Sequence, residues 1–228
     1  MELTLRQMDL WYQTPLGSCL LEAERAALAP YFENCFRQNV LQLGGPGEIL
    51  LSEPHPDFYL TRLSPESVSI FKAPSVRGSF DALPFFPDSM QLILLPHVLE
   101  FSSHPEKILA QCDITLSPEG RMIILSFNPW SLWGIYKYCR HPKTFPWRAR
   151  FLSTGRLKKL VQQQGLVIDE MHTLFFRPPI QNEKKLAYWK VLEGLGPLFW
   201  SDAGAVNLIV ARKQVVPLIP IQGVLKYA

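Results

Sequence analysis

Four places in this chain carry residue types that can do chemistry. The first is Gly44-Gly45-Pro46-Gly47, a tight loop of small residues directly after the apolar run Val40 to Leu43. The second is Arg62, near the end of a second apolar segment, Phe58 to Leu63. A guanidinium there suits a phosphate or a carboxylate. The third is Asp81, two residues after Ser79. In extended chain alternate side chains share a direction, so the two are expected to point alike. The fourth is His97, just after the continuous apolar run Leu92 to Leu95 and Pro96. An imidazole at the end of a strand can take a proton from a hydroxyl or an amine. The plainer reading of His97 is that it opens a short helix, His97-Val98-Leu99-Glu100. His55 and His104 sit beside prolines and read as structural or solvated turn residues, and the histidines show no metal-ligand spacing. Cys19, Cys35, Cys112 and Cys139 form no CxxC pair, which argues against a disulfide framework or a zinc site.

These residues need a frame, and the chain alternates strand and helix signals. Pro15 follows Thr14 and leads into Leu16, Leu20, Leu21, Ala23 and Leu28, which predicts a helix over 14–29, with Trp11 and Tyr12 just before it. Strands are predicted at Val40–Leu43, Phe58–Leu63, Leu92–Leu95, Met122–Phe127, Val167–Phe176 and Val206–Ala211. The segment Val68–Phe71 either extends the sheet or leads into Ala73-Pro74. The runs at 92–95 and 122–127 are apolar throughout, as strands of a parallel sheet buried on both faces are. Helices are predicted over Pro105–Leu116, and from a Ser153 or Thr154 cap through Leu157, Leu160 and Val161 to Gly165. The class is therefore α/β, a mostly parallel sheet with helices on both faces.

The 228 residues suit a single domain. Its 47% hydrophobic content supplies a sizeable core and excludes disorder. No apolar run reaches the roughly 18 residues of a membrane helix. Asp9, Glu22, Glu24 and Arg25 interrupt any secretory leader, so a cytoplasmic bacterial protein with reduced thiols is expected. The net charge of +3 conceals a one-signed stretch: nine Lys or Arg residues fall between Arg121 and Lys159, with no acid between Glu119 and Asp169.

The order Gly78-Ser79-Phe80-Asp81 with Leu83-Pro84-Phe85, apolar run, His-Val-Leu-Glu, then Pro118-Glu119-Gly120, apolar run and Asn128-Pro129 resembles the second half of class I S-adenosylmethionine (SAM) dependent methyltransferases. The likeness is to the small-molecule kind called methyltransferase type 11. It implies a Rossmann-like fold and SAM as cofactor. The family's loop runs leucine, aspartate, leucine, glycine, any, glycine, any, glycine; here Gln42 stands for the acid, Pro46 for the second glycine and Glu48 for the third. The acid that holds the ribose is replaced by Arg62, eighteen residues after Gly44, and the acid facing the adenine amino group by Ser79, with Asp81 at hand. The resemblance thus implies a cofactor set of Gln42, Gly44, Gly45, Gly47, Arg62, Ser79, Phe80, Asp81, Leu83 and Leu95, with His97 as the catalytic candidate. It also implies a small-molecule or lipid-like acceptor. Because all three acid positions are altered, a second expectation stands beside it: a degenerate methyltransferase fold that binds or scaffolds without catalysis.

The segment 128–152 reads as an aromatic and basic insertion, with Trp130, Trp133, Tyr136, Tyr138, Phe145 and Trp147 among Lys and Arg. Asn128 is expected to cap its helix. Three uses are open: a lid over a substrate pocket, contact of 130–159 with anionic lipid, or contact of the same stretch with nucleic acid. Arg212-Lys213 and the following Val216-Pro217-Leu218-Ile219-Pro220 are similar to the ending of an uncharacterised gammaproteobacterial branch of such methyltransferase-like proteins.

Overall fold

The computed structural model of the protein describes residues 2–33, 35–45, 58–65, 74–140 and 144–214. Among these, the strands are β1 (Asn39–Leu43), β2 (Tyr59–Ser64), β3 (Ser75–Arg77), β4 (Met90–Pro96), β5 (Leu116–Phe127), β6 (Val167–Leu174) and β7 (Val206–Arg212). They form one sheet in the order β3-β2-β1-β4-β5-β7-β6. Neighbours from β3 to β5 pair in parallel, while β7 runs antiparallel to both β5 and β6. The expected mostly parallel α/β sheet is thus present, with one reversed strand. The continuous apolar runs of β4 and β5 lie at its centre, buried on both faces.

The helices are α1 (Glu2–Tyr12), α2 (Pro15–Phe32), α3 (Pro105–Thr115), α4 (Leu132–Arg140), α5 (Thr154–Gln162), α6 (Glu183–Tyr188) and α7 (Val191–Phe199). Thr14 caps α2, its hydroxyl accepting from the Gly17 N–H, and Pro15 occupies the first turn, where a missing N–H costs nothing. Ser153 caps α5 in the same way. The helix expected over 14–29 extends to Phe32.

Several elements differ from the sequence expectation. Trp11 and Tyr12 lie just before α2 as expected, but they do so as the end of a further helix, α1, which buries Met8, Trp11 and Tyr12 at helical spacing. The helix expected at His97–Glu100 shrinks to one 3-10 turn, Leu99–Phe101. The strand expected to run to Phe176 stops at Leu174, because Phe175 adopts φ 64 and turns the chain. The helix α7 contains two glycines and a proline, which spoil any helical forecast. It forms because Gly196 lies flat on Phe176: a Cβ there would stand 2.2 Å from the ring. Asn128 does not cap α4. Its side-chain amide donates to the carbonyls of Asp202 and Gly204, and Ser131 caps the helix instead, accepting from Gly134. Residues Val68–Phe71 and the tail from Val215 onward lie outside the described residues.

The aromatic segment divides. Trp133 is wholly buried, edge-on to Trp11 and Phe175 and stacked with Phe127, and Phe145 and Trp147 join it. Trp130, three residues before Trp133, stands in solvent instead. No described helix is long and apolar enough to cross a membrane.

The corner between α1 and α2 depends on close backbone approach: a Cβ on Gly17 would lie 2.2 Å from the Trp11 carbonyl oxygen. We expect Gly17→Ala to destabilise the fold by about 1–3 kcal/mol despite the better helix propensity of alanine. Urea denaturation followed by circular dichroism measures this.

Candidate functional site

The carboxyl ends of β1, β2 and β4 lie side by side, with Gln42 in register with Arg62 on one flank and Leu94 on the other. Ligands of open α/β sheets bind beyond such ends. The chain leaves β1 through Gly44 and Gly45, with φ of 61 and 78, left-handed values that glycine adopts without strain. The Gly44 N–H donates to Leu63 at the end of β2. Gly45 lies against Pro96, so a Cβ there would meet the proline ring at 2.3 Å.

Two of the three residues in acid positions, Gln42 and Arg62, turn onto this loop. The Gln42 amide donates to the Gly44 carbonyl at 2.9 Å, and the Arg62 guanidinium donates to the Gly45 carbonyl at 2.8 Å. Both side chains are buried. Ser79 to Ala82 is a tight turn, not extended chain: Ala82 N–H donates to the Ser79 carbonyl and Asp81 N–H to the Ser79 hydroxyl. Asp81 and Ser79 therefore do not point alike by strand alternation; both are exposed at the rim, while Phe80 turns inward and is buried. Leu83 is half-buried and its N–H donates to Gln111. Leu95 is fully enclosed within β4. Gly47, with Pro46 and Glu48, lies outside the described residues, as does His55.

His97 is not at an open mouth. It follows β4 with φ 54, a left-handed value strained for a non-glycine residue, and is 2% exposed. Its Nε2 lies 2.8 Å from Glu24 Oε1 and its Nδ1 2.8 Å from Glu100 Oε1, with the ring stacked on Phe127. Tyr12 donates its hydroxyl to Glu24, and the Phe127 N–H donates to Glu100. Burial alone would lower the His97 pKa, but the two carboxylates outweigh it and raise it to about 9. Burial first, and then Glu24, push the Tyr12 hydroxyl well above its ordinary range. His97 is thus held as an imidazolium between two acids, with neither ring nitrogen open to a substrate. His104 is exposed beside Glu106.

Sequence reasoning missed Glu24 and Tyr12 as members of this cluster. A signal exists: Glu24 stands one turn from Leu20 and one turn from Leu28, a carboxylate on the apolar stripe of α2.

Beyond β5, α4 and α7 flank a cavity of about 320 Å³ lined by Trp130, Leu132, Ile135, Leu192, Gly196 and Trp200. A second groove of about 720 Å³ runs along α4 past Pro129, Tyr138, Arg150 and Phe151. Among the described residues no group of His, Cys, Asp and Glu is arranged to hold a metal.

No family model matches the chain. It is 26% identical to the uncharacterized protein YafS of Escherichia coli strain K12, over 92% of this chain and 82% of that protein. Among solved structures, a SAM-dependent methyltransferase of Thermotoga maritima superposes with a TM-score of 0.62 at 18% identity, covering 85% of this chain and 89% of that one. The [4+2]-cyclase SpnF gives 0.61 at 13% identity, over 84% and 80% of the two chains. A SAM-dependent methyltransferase of Archaeoglobus fulgidus gives 0.59 at 15%, over 83% and 92%. The fold is that of the class I methyltransferases.

The buried cluster sets a pH dependence. Because the folded His97 pKa is raised from 6.5 to about 9, its stabilisation is complete below pH 6.5 and is lost as pH rises through 9. At about 1.4 kcal/mol per unit, the wild type should lose a few kcal/mol across that window. His97→Gln should be less stable at pH 6 and flat across the same range. Denaturation midpoints at several pH values test this, and parallel curves for the two proteins would refute it.

Proposed function

We propose that the protein is a SAM-dependent methyltransferase acting on a small apolar or lipid-like acceptor. The observation that carries the reading is the gathering, at the carboxyl edge of one sheet, of a left-handed glycine pair, a polar turn at 79–82, and apolar cavities beside α4. The adenosine end of the cofactor fits the residues present. Ser79 and Asp81 offer acceptor oxygens to an exocyclic amino group, and Leu83 offers an apolar side to a purine. The ribose end is altered: where the family has a carboxylate, Arg62 presents donors, and ribose hydroxyls can meet those only as acceptors. Gly44 and Gly45 would hold the methionine part through their backbone, with Gln42 and Arg62 bracing their carbonyls from below.

When bound, SAM supplies a methyl group on a sulfonium, open to displacement by a nucleophile. The chain's own contribution is placement and exclusion of water, since His97 is sealed between acids and cannot serve as base. An acceptor that needs little deprotonation, held by the aromatic walls around Trp130, matches that inventory.

A second reading has a specific observation in its favour. Gln42 and Arg62 both spend hydrogen bonds on the carbonyls of the glycine loop, which braces it without any ligand. A non-catalytic binder built on this fold would look so. That a [4+2]-cyclase superposes as well as the methyltransferases do underlines that the fold does not fix the chemistry.

Calorimetric and thermal titrations with SAM and S-adenosylhomocysteine separate the two. At a hundredfold excess over Kd, the wild type should gain about 2.7 kcal/mol, or roughly 5–10 °C in Tm for a chain of this size. Asp81→Ala should weaken binding without lowering the ligand-free Tm. Binding only by Arg62→Asp, with a silent wild type, would establish the second reading. A silent wild type beside a folded, silent Arg62→Asp would overturn the cofactor assignment.

A further inference from the structure

We propose that α4 and α7 together form a docking face for an anionic membrane surface. The two helices stand on either side of the 320 Å³ cavity, and their outer faces are apolar. Trp130 is 76% exposed beside α4; Leu198, Phe199 and Trp200 at the end of α7 are 77%, 69% and 60% exposed. Leu132, Ile135, Val191 and Leu195 add to them. So large a concentration of exposed apolar side chains on two adjacent helices marks a contact surface.

The charges around this face are predominantly basic. Arg140, Arg148 and Arg150 are exposed at the end of α4 and just after it, in the segment that contains no acid, and Lys184, Lys185 and Lys190 are exposed just before α7. The one acid within α7, Glu193, is turned inward to Arg177 at 3.1 Å and to the Phe176 N–H. Two exposed acids flank α7 in sequence, Asp202 beyond its end and Glu183 before Lys184. Aromatic and aliphatic side chains ringed by Lys and Arg are what a helix pair lying in the headgroup layer needs, since the apolar groups enter the acyl boundary while the cations meet phosphate. With no described helix long enough to span, the contact is peripheral.

Two other occupants fit less well. A second copy would set one basic rim against the other, and like charges across an interface repel. A nucleic acid would use the aromatics as stacking platforms, but Leu132, Ile135, Leu195 and Leu198 have no π-face to offer a base.

The inference rests on exposure and charge, and stands apart from the methyltransferase reading. Its test needs no cofactor: co-sedimentation of the whole chain with vesicles of phosphatidylcholine, alone or mixed with phosphatidylglycerol, alongside tryptophan fluorescence. Binding is expected to the anionic vesicles, with a blue shift, and to fall as salt is raised. Leu198→Glu, at a site too exposed to unfold the protein, should weaken partition by about tenfold. Arg140→Glu with Arg148→Glu should weaken it through charge alone. Equal binding to neutral vesicles, or no binding to either, overturns the proposal. So does concentration-dependent dimerisation that buries Trp200, or tight binding of a single-stranded oligonucleotide without vesicle binding.

Discussion

One imidazolium between two carboxylates holds the central corner of this molecule. Glu24 comes from α2, His97 from the end of β4 and Glu100 from the 3-10 turn behind it, all wholly buried. Two carboxyl groups and one imidazole share this interior, and burial of charge is costly unless every lone pair is used. The chain uses most of them: the Tyr12 hydroxyl donates to Glu24 and the Phe127 N–H to Glu100, while Glu100 Oε2 has no hydrogen-bond partner among the described residues. Removing any member strands the others, so α1, α2, β4 and β5 are bound to one electrostatic arrangement. The strained φ of His97 shows that the backbone yields to keep the ring in place.

The cluster also defines what the carboxyl edge of the sheet can do. It closes the space below β4, which leaves the glycine loop on one side and the aromatic cavities on the other. Between them the sheet presents packed residues rather than a base. A reaction at this edge must draw on placement and on the shape of its apolar walls. The segment 128–152 supplies both halves of that wall. Its inner aromatics, Trp133, Phe145 and Trp147, extend the core to Trp11, while Trp130 faces solvent. Composition alone announced an aromatic segment; which rings go inside depended on the arrival of α1, an element from the other end of the chain.

Legibility of the sequence followed the strength of the local physics. The runs at β4, β5 and β7 are buried on both faces, so their apolar continuity revealed them, and the caps at Thr14 and Ser153 fixed helix starts within a residue. What escaped was held by tertiary contact. Gly196 against Phe176 makes a helix of a segment rich in glycine, and β3 is only three residues long, too short for any period to show. At the site, the residues in the family's acid positions could be read by spacing. That Gln42 and Arg62 would turn their donors onto the loop carbonyls could not, since the partner is backbone. Asp81 was paired with Ser79 on the premise of extended chain, and the turn at 79–82 removes that premise. Glu24 carries its signal in its place between Leu20 and Leu28, on the apolar stripe of α2, where a lone acid is easily passed over.

Asn128 has a mechanical side. Its amide reaches from the end of β5 to the carbonyls of Asp202 and Gly204 at 2.7 and 3.0 Å, and its side-chain oxygen receives the Trp130 N–H. The exit of α7 and the entry of α4 are therefore pinned to the same side chain. The two helices share one anchor, and it sits at the strand end that borders the cavities.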